Sequence, residues 1–245
     1  MAGHSKWANI KHRKERQDSK RGKLYTKLIR EITVAARHGA DPNDNPRLRN
    51  VMDKALTANM SRDIIDRAIK RGAGGLEGAD VEEVRYEGYG PSGIAVIVDC
   101  MTNNRNRTVS EVRHTFSKHG GNLGTDGSVA YLFKKLGQLS FAPGAKEEKI
   151  LELALEAGAD DVVVNDDQSI DVFTTPDHFF VVKKAMTDKG LHSEQAEITL
   201  VPMTAVSIDD KEIAQQAMEL LETLEELDDV QAVYSNVDIS EELVS

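Results

Sequence analysis

Apolar residues recur at helical spacing through the first 75 residues. Between positions 20 and 38 they fall every three or four residues, which at about 100° per residue forms one broad apolar face. Its members are Leu24, Tyr25, Leu28, Ile29, Ile32, Ala35 and Ala36. Pro46 suits the first turn of a second helix, and Ser61 suits the N-cap of a third helix that ends at glycines. The pattern predicts a small helical bundle.

The period changes after Gly75. Residues 84–89 alternate and residues 94–100 form a continuous apolar run, so we predict two strands, the second of them central in its sheet. A helix follows at 107–120 and a further strand at 129–133. The next elements are predicted in the order β-α-β-β-α-β, which is the ferredoxin-like order. They are a strand at 138–142, a helix at 146–157, strands at 161–164 and 170–174, a helix at 176–187 and a strand at 196–201.

In the last part of the chain we predict a strand at 205–208, then a long acidic helix, then a strand near 232–237. Such a remnant cannot cover its own apolar surface, so we expect it to rejoin the sheet that begins near residue 80. The predicted fold class is α+β multidomain, with a ferredoxin-like domain inserted into another α+β domain. The predicted boundaries are 1–78 for a basic helical domain, 79–135 with 203–245 for the discontinuous α+β domain, and 136–202 for the insertion.

The amino-acid composition indicates the general class of protein. The chain has 245 residues, 40% of them hydrophobic and 29% charged, as in a soluble globular protein. The longest apolar run, Ile94 to Val98, is far shorter than the roughly 20 residues of a membrane-spanning helix. The N-terminus lacks the apolar segment of a secretory signal, and a single cysteine excludes an intrachain disulfide. We therefore expect a cytoplasmic protein that does not enter a membrane.

Charge is distributed very unevenly. Residues 1–75 hold 18 Lys/Arg and 8 Asp/Glu, whereas the remaining 170 residues hold 13 and 33. On the first long helix the cations lie opposite the apolar face, and they are Lys20, Lys23, Lys27, Arg30 and Arg37, with Arg16 in line if the helix extends backward. A stripe of one sign indicates a polyanionic partner. An ordinary solvated helix face is the alternative.

Two smaller basic groups are also candidates. Trp7, the only tryptophan, lies among Lys6, Lys11, Arg13 and Lys14. Its indole could stack on an exposed base, or it could hold the N-terminal arm against the bundle. Arg105 and Arg107 precede a predicted helix in the acidic part of the chain. They are either a second contact or solvated arginines at a helix start.

No set of residues indicates catalysis or a metal site. Gly88–Gly93 matches G-x-G-x-x-G, but a strand follows where a dinucleotide site needs a helix, so we predict a hairpin connection. The glycines from 120 to 127 lack the Lys-Ser/Thr of a phosphate-binding loop and are predicted to form a tight or flexible turn, although their amides could meet a phosphate. His114 and His119 lack metal-ligand spacing, and Cys100 is expected to be an inert buried thiol. The Asp-Asp pairs are predicted to cap helices and make turns.

Four segments carry a resemblance to a known family. They are Ala2–Lys11 (A-G-H-S-K-W-x-x-I-K), Arg21-Gly22-Lys23, Pro46–Asn50 and GGNLGTDGSVAYLF at 120–133. All resemble the YebC/PmpR family, whose members include a mitochondrial translational activator. The resemblance implies a helical first domain and two α+β domains, the third inserted in the second. It also implies either a probable transcriptional regulator that binds DNA or a ribosome-associated factor that eases synthesis of proline-rich stretches.

We therefore predict a non-enzymatic protein that binds nucleic acid through its basic helical domain, with no cofactor and no small-molecule substrate. A DNA-binding transcriptional regulator ranks first, and a translation factor that binds ribosomal RNA on the ribosome is the alternative. The predicted contact residues are Lys6, Trp7, Lys11, Arg13, Lys14, Arg16, Lys20, Arg21, Lys23, Lys27, Arg30, Arg37, Arg105 and Arg107.

Overall fold

The computed structural model describes residues 21–74, 81–165 and 167–239. Its helices are α1 (Arg21–Ala36), α2 (Pro46–Thr57), α3 (Arg62–Ala73), α4 (Arg105–Lys118), α5 (Glu147–Glu156), α6 (Phe179–Asp188) and α7 (Lys211–Glu226). Its strands are β1 (Glu82–Tyr89), β2 (Ala95–Thr102), β3 (Asn122–Leu123), β4 (Phe133–Phe141), β5 (Asp161–Val164), β6 (Ile170–Thr174), β7 (Gln195–Pro202), β8 (Val206–Ile208), β9 (Val230–Ser235) and β10 (Val237–Ile239). The predicted α+β multidomain fold class is confirmed.

Helices α1 to α3 form the helical domain around a core of their own. Ile32, Leu48 and Ile65 are fully buried in it. Helix α3 crosses α1 so closely that a Cβ on Gly72 would lie 2.1 Å from the Thr33 carbonyl oxygen. The predicted apolar face of α1 is too wide by one position, because Leu24 is 45% exposed.

One buried side chain joins the first two helices. The Asn45 amide nitrogen donates to the carbonyls of Ala35 and Gly39, both at 2.8 Å, near the end of α1. Its amide oxygen accepts from Leu48 N at 3.0 Å and so caps α2, whose first residue is Pro46 as predicted. Asn45 thus satisfies backbone groups at two helix ends that would otherwise lack partners.

The central domain is built on a four-stranded sheet in the order β3-β1-β2-β9. Strand β2 is central, as its apolar run predicts, and Ala95 to Val98 are fully buried. Strand β9 pairs antiparallel with β2, in register at Val98 and Val233, which confirms that the C-terminal segment rejoins the first sheet. Helices α4 and α7 contribute to the core of this domain, while β8 and β10 form a separate parallel pair.

Two connections in this domain test the predicted turns. The hairpin between β1 and β2 is confirmed, and Ser92 and Gly93 adopt positive φ in its 3₁₀ turn. The predicted strand at 129–133 is wrong, since Ala130–Leu132 form a 3₁₀ turn and β4 begins at Phe133. The N–H groups of Val129 and Ala130 donate to the Glu87 carboxylate instead of to a neighbouring strand.

Residues 131–204 form a compact unit of their own, the inserted domain. Its sheet has the order β5-β6-β4-β7 with every neighbour antiparallel, and α5 and α6 pack against it. This is the ferredoxin-like arrangement that the element order predicts. Across the described ranges, no helix is both long enough and apolar enough to cross a membrane.

Candidate nucleic-acid interface

Half of the predicted contact residues lie outside the described part of the chain. They are Lys6, Trp7, Lys11, Arg13, Lys14, Arg16 and Lys20, so stacking or packing of the Trp7 indole stays untested. Arg21 begins α1, but its side chain is also outside the described part. The structure places Lys23, Lys27, Arg30, Arg37, Arg105 and Arg107.

The cations of α1 contact the central domain. The Lys23 ammonium donates to the Glu226 carbonyl at 3.2 Å, and the Lys27 ammonium donates to the Glu225 carbonyl at 3.1 Å. Both carbonyls belong to the last turn of α7, whose C-terminal carbonyls have no partner within their own helix. The last turn of α7 contains no basic residue. Lys23 and Lys27 therefore cap this helix from another domain.

Arg30 extends this contact to the turn after α7. One guanidinium nitrogen, Nη1, donates to the Asp228 carbonyl at 2.6 Å and lies 3.3 Å from Oδ1 of Asp229. Asp229 is only 2% exposed. A buried carboxylate requires charged or hydrogen-bonding partners, so this contact reaches a group that is fixed inside the central domain.

Asp229 has three further partners in the central domain. Arg107 donates to Oδ2 at 2.7 Å, and the hydroxyls of Thr108 and Thr102 donate to the same oxygen at 2.8 and 3.1 Å. Burial alone would raise the pKa of Asp229, but these hydrogen bonds outweigh it and lower the pKa. The structure thus brings Arg30 of the predicted stripe and Arg107 of the second basic group onto one carboxylate. For Asp229, the prediction of a simple turn residue is incomplete, because sequence spacing does not reveal partners so far along the chain.

Two contacts flank this central one. Arg37 donates to the Val81 carbonyl at 2.9 Å, and Arg47 of α2 forms an ion pair with Glu83 at the start of β1. The pKa of Glu83 is lowered chiefly by the hydrogen bond from Arg47. In the described residues, the buried apolar clusters of the helical and central domains share no member. The hydrogen bonds and ion pairs described above supply the specific polar contacts between these two domains.

The remaining predicted arginine, Arg105, is exposed at the start of α4. Its carbonyl accepts from the Tyr86 hydroxyl at 3.4 Å. Arg105 and Arg107 both lie in the first turn of a helix that Asn104 caps, by accepting from Arg107 N at 3.1 Å.

Helix α3 carries a basic surface that is absent from the predicted contact set. Arg62, Lys70 and Arg71 are exposed and make no side-chain hydrogen bond or ion pair with another described residue, and Arg67 bonds the Asp63 carbonyl of its own helix. Arg67, Lys70 and Arg71 share one face at three- and four-residue spacing. The signal that could have located this face is the run of cations after Asp66, which no acidic residue interrupts.

The connection between α2 and α3 is a tight turn of residues 58–61. Asn59 adopts φ 61° in this turn, and the Tyr25 hydroxyl donates to its carbonyl at 2.8 Å. Two helices joined by a turn of three or four residues are the element of helix-turn-helix proteins, in which the second helix meets nucleic acid. Ser61 is at the N-cap of α3, as predicted, without a side-chain capping bond.

The glycine-rich loop after α4 already contains an anion. The Glu87 carboxylate, 5% exposed, accepts from the backbone N–H groups of Gly127, Val129 and Ala130 at 2.7–2.8 Å. Burial alone would raise the pKa of Glu87, but these three hydrogen bonds outweigh it and lower the pKa. Because these amides are satisfied within the chain, the tight turn is confirmed and they offer no site for a phosphate.

The candidates for other chemistry are placed as follows. Cys100 is buried, and burial raises the pKa of its thiol to about 12, as expected for an inert thiol. His119 lies 3.7 Å from Glu219 on α7. Among the Asp pairs, Asp210 caps α7 by accepting from Ile213 N, as predicted. The described ranges contain no cluster of three or more His, Cys, Asp or Glu that could hold a metal ion.

Comparison with known proteins agrees with this architecture along nearly the whole chain. The model of the TACO1/YebC protein N-terminal domain matches residues 5–75, and that of the TACO1/YebC second and third domain matches residues 81–237. This chain belongs to the TACO1/YebC family. The predicted membership is therefore confirmed.

Members of the TACO1/YebC family resemble the chain over its full length. A probable transcriptional regulatory protein of Pseudomonas paraeruginosa and the transcriptional regulatory protein PmpR of Pseudomonas aeruginosa are each 62% identical to it, over 100% of this chain and 99% of theirs. The crystal structure of the conserved hypothetical protein Aq1575 from Aquifex aeolicus superposes with a TM-score of 0.87 at 50% identity, covering 98% of this chain and 100% of that one.

Proposed function

We propose that this protein is a non-enzymatic, DNA-binding transcriptional regulator whose first contact with nucleic acid is helix α3. The observation that carries the proposal is the face of Arg67, Lys70 and Arg71, exposed on the second helix of a pair joined by a tight turn. Exposed cations of this kind can pair with phosphates and release counterions, which supplies most of the affinity in such complexes. The regulatory names of the TACO1/YebC relatives agree with this role.

The distribution of charge supports the same orientation. The first 75 residues have an excess of ten basic residues, whereas the rest of the chain has an excess of twenty acidic ones. Phosphates are repelled by the acidic part and attracted to the helical domain. We infer that the N-terminal cations Lys6, Lys11, Arg13 and Lys14 also contact the partner, and that the partner is DNA, ribosomal RNA or both.

Binding of ribosomal RNA is the second candidate, and the composition of α3 favours it. Asp63 and Asp66 lie between Arg62 and Arg67, and α3 contains no Asn or Gln to pair with adenine edges. A helix of this kind contacts phosphates and recognises shape, which is how proteins bind folded RNA. A translation factor that associates with the ribosome requires no more than this.

Charge reversal on α3 tests the proposal. The variant Lys70→Glu with Arg71→Glu is compared with Lys134→Glu and Lys135→Glu, an adjacent pair of exposed cations in the inserted domain. We expect the α3 variant to weaken binding of a 20-base-pair duplex by about tenfold or more and the control pair to change it by less than about twofold. Equal effects of the two variants would contradict a role of α3.

The same proteins distinguish DNA from RNA. A regulator of transcription prefers one duplex over scrambled duplexes by about 10³ or more at physiological salt. A ribosome-associated factor co-sediments with ribosomes after DNase treatment and shows less than about tenfold preference among duplexes. Competition binding and sucrose-gradient sedimentation of the full chain measure these two properties.

A further inference from the structure

The cations of α1 are the charges that the sequence assigns to a polyanion, yet they already have partners. Lys23 and Lys27 bond the C-terminal carbonyls of α7, and Arg30 bonds the Asp228 carbonyl and the Asp229 carboxylate. We propose that this contact is an autoinhibitory lock, in which nucleic acid and the central domain compete for the same three side chains. The inference rests on the proposed function and concerns its regulation.

The central domain attracts these cations for a physical reason. The carbonyl end of a helix carries partial negative charge, and cations stabilise it whereas acids do not. Helix α7 has no basic residue in its last turn, and it has Glu225 and Glu226 there. The helical domain supplies the missing cations, with Lys23 and Lys27 spaced four residues apart on one side of α1. A phosphate backbone offers the same cations more negative charge.

The central domain and nucleic acid cannot both bind the α1 cations at the same time. Each ammonium or guanidinium that donates to α7 or Asp229 points toward the central domain, and the sequence after residue 75 is strongly acidic. Phosphates would have to approach that acidic part to reach the stripe while the domains are docked. The exposed cations of α3 do not have this constraint. Nucleic acid therefore meets α3 first and gains the α1 stripe only after the domains separate.

The lock can open without unfolding either domain. The buried apolar residues of the described helical domain, apart from Val34, form their own cluster, separate from that of the central domain. The contact depends on side chains that stay partly in water, such as Arg30 with 30% of its side chain exposed. Such ion pairs contribute little individually and are screened by salt. Opening of the lock requires the helical domain to separate from the central domain while each keeps its own core.

Distance measurements on the full chain report the opening. Fluorophores are attached at Ala40→Cys in the helical domain and Ser110→Cys in the central domain, both at exposed positions. Cys100 does not interfere, because it is buried. We expect energy transfer between the labels to fall as salt rises, and to fall at constant salt when a 20-base-pair duplex is added.

A matched pair of variants tests the competition. Asp229→Asn removes the charge that Arg30 contacts while keeping an oxygen for the threonine hydroxyls. Asp228→Asn removes a charge of the same sign one residue earlier, from an exposed side chain. Asp228 bonds Arg30 through its backbone carbonyl, which this variant keeps. We expect Asp229→Asn to reduce energy transfer and to bind the duplex about fivefold more tightly or better, because the binding-competent state is more populated. Asp228→Asn should match the parent protein.

The outcomes separate this inference from the proposed function. Duplex binding that leaves energy transfer unchanged, with equal affinity of the two Asn variants, overturns the lock and leaves the proposed function intact. Absence of duplex and ribosomal RNA binding in both the parent protein and Asp229→Asn overturns the proposed function and the lock with it. If Asp229→Asn does not fold, the change in energy transfer when the parent protein binds the duplex decides whether the lock exists.

Discussion

Arg30 and Asp229 meet at 3.3 Å although 199 positions separate them in the chain, and the two side chains differ in how they are held. The carboxylate is 2% exposed and also receives Arg107 and two threonine hydroxyls, whereas the Arg30 side chain stays 30% exposed. The central domain can keep its buried carboxylate satisfied without Arg30. Among the contacts of Asp229, the one from Arg30, between the two domains, is therefore weaker than those within the central domain.

The first prediction concerns the stability that Asp229 provides. Asp229→Ala removes the carboxylate that accepts hydrogen bonds from Arg107, Thr102 and Thr108. The two buried threonine hydroxyls then lack this acceptor. Loss of one partner of a buried charged group costs about 3–5 kcal/mol, and we expect about 2–4 kcal/mol here because Arg107 is partly exposed. Urea unfolding of the full chain measures this loss.

Two variants serve as controls for Asp229→Ala. Asp228→Ala changes an exposed carboxylate and should stay within about 0.5 kcal/mol of the parent protein. Arg30→Ala should cost less than about 1 kcal/mol, since its ion pair is partly solvated. A loss in Arg30→Ala as large as that in Asp229→Ala would mean that the two domains depend on each other for folding.

The second prediction concerns acid. The pKa values of Glu87 and Asp229 are lowered in the folded protein, so each carboxylate contributes stability above its unfolded pKa, roughly 4. That contribution is lost as the pH falls below about 4 through the folded pKa values. We expect the free energy of unfolding to decrease steeply in this range, as measured by urea titration at successive pH values.

Glu87→Gln isolates one part of this dependence. A neutral amide offers one acceptor oxygen to three N–H groups and presents an N–H group to the others, so we expect a loss of about 2 kcal/mol or more at pH 7. The loss should shrink as the pH falls below the ordinary carboxyl range and through the lowered pKa of Glu87, because protonation removes from the parent protein the charge that the amide lacks. A difference between the two proteins that is the same at every pH would contradict the role of the charge.

The third prediction concerns the crossing of α1 and α3. Gly72→Ala places a Cβ where the Thr33 carbonyl oxygen would be 2.1 Å away, so the helices must shift, at a cost of about 1–3 kcal/mol or more. Gly22→Ala is the matched control, because a Cβ there meets nothing within 4 Å and alanine favours the helix by about 0.5–1 kcal/mol. The midpoint temperature of thermal unfolding should fall for Gly72→Ala and rise for Gly22→Ala.

The fourth prediction concerns salt. If about six phosphates are neutralised, a plot of the logarithm of the duplex association constant against the logarithm of the salt concentration has a slope of about −5. Lys70→Ala and Arg71→Ala should each reduce the magnitude of that slope by about 1. Fluorescence anisotropy at several salt concentrations measures the slopes. An unchanged slope would place the phosphates elsewhere.

Regular elements are predictable because their signal is local. The apolar run of β2 and the helices and strands of the β-α-β-β-α-β segment are each visible in the spacing of apolar residues within the element itself. The segment at 129–133 is mispredicted because its apolar residues resemble a strand, while Glu87, far earlier in the chain, accepts from its N–H groups. A periodicity argument has no access to a partner of that kind.

The candidate site is less predictable for the same reason. The stripe of Lys23, Lys27 and Arg30 is visible in the sequence, but a single-sign helix face does not say whether its anion comes from another molecule or from the same chain. Here the carbonyl end of α7 and the Asp229 carboxylate are supplied by residues about 200 positions later. Only the fold brings them together, and only the fold shows that the cations of α3 are left exposed.

The late position of β9 has a consequence for synthesis of the chain. Strand β2 is the most apolar strand of the central sheet, and one of its edges is covered only when β9 pairs with it; Ala95 N, for example, donates to the side chain of Asn236, 141 positions later. During translation the helical and inserted domains can fold while this edge stays open, and an open apolar edge invites pairing with other chains. The edge of β2 therefore stays open to such pairing until β9 has left the ribosome.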